Sequence, residues 1–144
     1  MRAWADEDCS RGVRVDRTAA GYRCLLVRPG LEPGSNESSD LMRLFGADRR
    51  YATLCRVQGC FRARLTPKPW RIGLERAGLR YEPYFDGEPG LQRWIHEYRL
   101  VSEGYAVCRL VDEFGATDAA SDDDASLIEL HDAATRVDED LPLA

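Results

Sequence analysis

The apolar period of this chain changes several times along its length, and that restricts it to a fold mixing strands with helices. Residues 12 to 18 alternate, with Val13 and Val15 on one side and Arg14 and Asp16 on the other, as in a half-buried strand. Thr18-Ala19-Ala20-Gly21 then forms a turn, and Tyr22-Arg23-Cys24-Leu25-Leu26-Val27-Arg28 is a second, more apolar strand completing a hairpin. Pro29-Gly30 and Pro33-Gly34-Ser35-Asn36 have the chemistry of a surface loop.

Helical spacing takes over next. Ser38 or Ser39 can cap a helix with the stripe Leu41, Leu44 and Phe45, which Gly46 ends. Asp48 can cap another, striped by Tyr51, Leu54, Cys55 and Val57 and stopped by Gly59. Alternation returns over residues 60 to 66, where Phe61, Ala63 and Leu65 share one side and Arg62 and Arg64 the other. Residues 73 to 90 fit no pattern. Leu91, Trp94, Ile95 and Tyr98 mark a helix to about residue 102, and residues 105 to 111 read as a further strand. The acidic, small-residue stretch 113–126, with Asp122-Asp123-Asp124 at its centre, is expected to be a disordered loop.

This order predicts an α+β domain, a mainly antiparallel sheet with helices packed on one face. The expected organisation is a flexible N-terminus (1–11), the α+β domain (12–112), the acidic flexible loop (113–126), and a C-terminal segment (127–144) that re-docks, beginning with a short strand over 127–130. At 144 residues the chain is one domain's length. No apolar run approaches the roughly 18 residues of a membrane span, and no signal-peptide core is visible, so a cytoplasmic protein without membrane contact is expected. Five cysteines without framework spacing are expected to be reduced, with no metal and no cofactor.

The net charge of −5 hides a division. Residues 1–110 carry 19 basic and 14 acidic groups, and residues 111–144 carry 1 basic and 11 acidic groups. Seven basic residues (Arg56, Arg62, Arg64, Lys68, Arg71, Arg76, Arg80) fall between positions 56 and 80 against one acid, Glu75. An anionic partner suits such a segment, with the acidic tail as a competing anion. Lys68 stands out further, because the other nineteen basic residues are all arginine. An ammonium on a flexible stem does what a planar guanidinium does not. Pro67 and Pro69 hold it in an extended connector, and Trp70 beside it can stack on a base, although a tryptophan so placed is more often core.

Other chemistry is thinly represented. Asp16 is the lone acid within a predicted strand before the tail, which falls short of a two-metal carboxylate cluster. Cys55 and Cys60 lack a paired knuckle. His131 beside Asp132 has the makings of a general base, and equally of a local hydrogen bond near a helix start. No Gly-rich phosphate loop and no complete catalytic constellation is visible.

From Thr18-Ala19-Ala20-Gly21-Tyr22-Arg23 through Phe61-Arg62-Ala63-Arg64-Leu65-Thr66-Pro67-Lys68-Pro69-Trp70-Arg71 to His131-Asp132 and Leu141-Pro142-Leu143-Ala144, the chain resembles an uncharacterised family of small bacterial proteins. That resemblance implies no established activity. A weaker resemblance is to the later half of archaeo-eukaryotic primase-type domains, in which a strand after a Thr/Gly turn presents a site residue to nucleotide phosphates. Arg23 stands where those domains carry histidine, and the earlier paired acids are absent, so the resemblance implies nucleotide or nucleic-acid binding rather than polymerisation. The expected site is therefore a phosphate-binding set of Arg23, Arg62, Arg64, Lys68, Trp70 and Arg71. The alternative is a protein-interaction module whose basic face meets an acidic partner.

Overall fold

The computed structural model describes residues 1–27, 30–75, 89–118 and 121–144. Arg28, Pro29, Arg76, Arg80 and most of the unassigned 73–90 stretch lie outside the described residues. The elements run α1 (Arg2–Asp6), β1 (Gly12–Thr18), β2 (Gly21–Val27), α2 (Asn36–Leu44), α3 (Arg49–Gln58), a 3-10 turn (Pro69–Arg71), α4 (Pro89–Ser102), β3 (Cys108–Gly115) and α5 (Asp122–Thr135). The protein is α+β, and its antiparallel sheet has the order β2-β1-β3. Among the described residues no helix is long and apolar enough to cross a membrane.

Strand β1 is central, and that changes the fate of its polar side. Alternation predicts Arg14 and Asp16 facing outward, yet Val13, Arg14, Val15 and Asp16 are all buried. Arg14 Nε lies 3.2 Å from Glu113 Oε1 on β3. A charge is tolerated in such a place only when paired and hydrogen-bonded.

The chain divides into two compact units, each gathered from three separate segments. The first comprises Met1–Arg14, Cys24–Arg64 and Asp112–Ile128. Its N-terminal residues, expected to be a flexible lead, form α1 with Trp4 and Ala5 buried. Trp4 meets the Phe45 ring edge-on at 5.6 Å, and the Arg11 guanidinium stacks 4.9 Å from the Trp4 ring. Ser35, rather than Ser38 or Ser39, caps α2, accepting from Ser38 N at 3.0 Å. Asp48 caps α3 through Arg50 N and Tyr51 N, and Gly59 ends that helix with φ 59°. Leu41 and Cys55 are the buried members of the two stripes, whereas Leu44, Leu54 and Val57 are exposed.

Three expected features differ in the structure. Residues 61–65 have no regular structure, and Phe61 is exposed. Alternation alone does not make a strand, because the backbone groups need a neighbouring strand to bond, and Pro67 and Pro69 remove donors just beyond. The acidic stretch is also not a loop throughout: β3 continues to Gly115, and Asp122, Asp123 and Asp124 form the first turn of α5. Three carboxylates there face the positive end of the helix dipole. Ser121 and Asp124 reinforce the turn, Asp124 N donating to Ser121 Oγ at 3.2 Å and Ser121 Oγ donating to the Asp124 carboxylate at 2.8 Å. Residues 127–130, expected as a short strand, lie inside α5.

The second unit comprises Val15–Arg23, Leu65–Val111 and Glu129–Ala144. Its C-terminal segment lies beside the lead into β3, where Ala106 N donates to Pro142 O and Ala144 N donates to Ala106 O. Just above, Val107 N donates to Thr135 O at 2.9 Å, which sets the start of β3 against the end of α5.

Candidate functional site

The densest polar constellation in the second unit draws on β1, β2, β3 and α5. Asp16 is buried because β1 pairs on both edges, and Cys108 is buried because the Val107–Thr135 bond draws the start of β3 under α5. His131 and Thr135 occupy the last turn of α5, one above the other at i, i+4, and are buried too. Ligand-type atoms of Asp16, Cys108 and His131 all lie within 4.8 Å of one another. His131 Nε2 is 3.7 Å from Asp16 Oδ2 and 4.0 Å from Cys108 Sγ.

The imidazole tautomer follows from its two neighbours. His131 Nδ1 is 2.8 Å from Asp132 Oδ1, and a carboxylate accepts, so Nδ1 carries the proton. Arg23 NH1 is 2.8 Å from Nε2, and a guanidinium donates, so Nε2 presents its lone pair. In this arrangement Nε2 is turned toward Asp16, Cys108 and Arg23. Arg23 NH1 also donates to Cys108 Sγ at 3.6 Å.

Burial pushes the Cys108 thiol above its ordinary pKa. A side-chain hydrogen bond with Thr135 opposes this, the Asp16 carboxylate adds to it, Arg23 opposes it, and Asp132 adds to it. The result is a protonated thiol at neutral pH, unlike the lowered thiolate of a nucleophilic cysteine.

A second neighbourhood in the same unit surrounds Lys68. Pro69 opens the 3-10 turn, with Arg71 N donating to Lys68 O at 2.8 Å and Ile72 N to Pro69 O at 3.1 Å. Buried Ile72 anchors it below. From α4, Tyr98 Oη donates to Pro67 O at 2.6 Å, and the Trp94 ring stacks on Tyr98 at 5.2 Å. Trp70, for which a core position is the commoner fate, points outward with 51% of its surface exposed. The Lys68 ammonium lies 5.5 Å from the centre of its ring.

The six residues of the expected site thus part company. Lys68 and Trp70 come together, with Arg71 on the same turn. Arg23 is instead engaged at the buried constellation. Arg62 and Arg64 are exposed and belong to the first unit, where Arg62 Nε donates to Cys60 Sγ. Sequence reasoning missed the joint arrangement of Asp16, Cys108 and His131, because they are far apart in the chain and share no motif. Two signals were visible singly: the lone acid in a strand, and the His131-Asp132 pair.

Compared with protein-family models, curated proteins and solved structures, the chain matches none of them.

Proposed function

We propose that the chain binds a phosphate-bearing ligand with a base, a nucleotide or a single-stranded nucleic acid, at the turn carrying Lys68, Trp70 and Arg71. The observation that carries this reading is the outward Trp70 ring with the Lys68 ammonium against it, on a turn pinned by Tyr98 and Ile72. An exposed aromatic face is a platform for a base of any identity, and the neighbouring cations meet the phosphates. Among the described residues no carboxylate forms an ion pair with Lys68 or Arg71. Pinning removes much of the ordering cost that a mobile loop would incur on binding.

Titration with a short single-stranded oligonucleotide should quench Trp70 fluorescence, and Trp70→Ala should weaken binding by about 1–3 kcal/mol. Lys68→Ala and Arg71→Ala should each lower the salt slope of log K by roughly 0.7, one phosphate contact for each. Lys68→Arg should also bind less well, since the guanidinium is bulkier and set as a fork. Polyphosphate of equal charge that binds as tightly as the oligonucleotide would remove the base from the reading. An acidic peptide that binds more tightly than either would favour an acidic protein partner.

A further inference from the structure

We propose that Asp16, Cys108 and His131 form a binding site for a transition-metal ion of the zinc class, with Asp132 orienting the imidazole and Arg23 exchanging with the metal. The donor set is one carboxylate, one thiol and one imidazole, the mixed O, S and N ligands that zinc takes. They come from three elements, β1, β3 and α5, and all three side chains are buried. Surface acids that gather by chance do not have this character.

The distances fit. Zinc bonds of about 2.0–2.3 Å in a tetrahedron place ligand atoms about 3.3–3.8 Å from one another. The Oδ2–Nε2 separation of 3.7 Å falls in that range, and the Sγ–Nε2 separation of 4.0 Å needs to contract by only a few tenths of an ångström. The imidazole is also prepared. Asp132 holds the proton on Nδ1 and leaves the Nε2 lone pair facing Asp16 and Cys108, the arrangement in which a carboxylate behind a histidine fixes a metal ligand.

Arg23 is the cation these atoms face now, with NH1 close to both Nε2 and Sγ. It is only half-buried and comes from β2, an edge strand, so its long side chain can move toward solvent. Metal binding would substitute one cation for another beside His131 and Cys108. The Cys108 thiol would release its proton to solvent as the metal–sulfur bond forms. Three protein ligands leave a fourth position for water or a small ligand.

The test uses the full chain and metal alone. Cobalt(II), a visible stand-in for zinc, should bind with one equivalent per chain, giving a near-ultraviolet sulfur-to-cobalt band and tetrahedral visible bands that zinc abolishes. Cys108→Ser should remove the sulfur band, and Asp132→Asn should weaken zinc binding about 10- to 100-fold. Arg23→Met should tighten zinc binding at least tenfold, because the competing cation is gone. The proposal is overturned if folded wild-type protein takes up no stoichiometric cobalt, if the sulfur band survives Cys108→Ser, or if Arg23→Met binds zinc no better than wild type. The wild-type spectrum decides the matter even should a variant fail to fold.

Discussion

The Cys108 thiol is buried against an imidazole, and its raised pKa makes alkaline pH the place where that burial becomes measurable. Below the unfolded-state value of about 8.5 the thiol is protonated in both states, and its contribution to stability is complete. As pH rises beyond that point the unfolded chain loses its proton first, so stability falls until the folded pKa is passed. The denaturation midpoint of metal-free protein should therefore decline as the pH rises above about 8.5, and the decline should shrink in Cys108→Ala. Parallel declines in the two proteins would assign the effect to other groups. Alkylation offers an independent view of the same residue. Exposed Cys9 should react at neutral pH while Cys108 stays protected until the protein unfolds.

At the scale of elements, the junction of β1 with β3 leaves no room for a side chain at its glycines. A Cβ on Gly12 would run into the Ala116 carbonyl, and one on Gly115 into that of Arg11, where the Ala116 N to Arg11 O bond joins the two segments. Gly12→Ala should destabilise the fold by about 1–3 kcal/mol, as overpacking does. Gly90→Ala, in open space near the start of α4, should be neutral or slightly stabilising, and equal thermal shifts for the two would show that the junction relaxes freely. The elements that local rules predict well are those with their own punctuation. Asp48 and Gly59 bracket α3, and the Leu91, Trp94, Ile95 and Tyr98 spacing marks α4. Local rules fail where a partner decides. Residues 61–65 have strand alternation but no regular structure, and the acids at 122–124 look disordered until the helix dipole beneath them is counted. Alternation places Arg14 and Asp16 on an outward face because it cannot tell a central strand from an edge, and the structure buries both. For the same reason the buried constellation was legible only as isolated residues, while the Lys68 turn, whose Pro and Trp neighbours are local, was legible as a unit.

Over the whole molecule the strands tie the two units together: β1 passes from one unit to the other after Arg14, β2 reaches back after Arg23, and β3 crosses after Val111. No single cut of the chain separates the units. Far-ultraviolet circular dichroism and tryptophan fluorescence should therefore report one coincident unfolding transition, since Trp4 lies in the first unit and Trp70 and Trp94 in the second. Two resolved transitions would show that the units fold independently despite the shared strands. Contacts such as Arg23 with His131, 108 residues apart, also predict slow folding for a chain of this size. The still longer separation of Asp16 from His131 acts during synthesis. At about 5–20 residues per second, some 6 to 23 s pass between the making of Asp16 and of His131. Throughout that interval the carboxylate destined for the interior has no imidazole to meet, and the β1–β2 hairpin waits on the ribosome with its charge still in water.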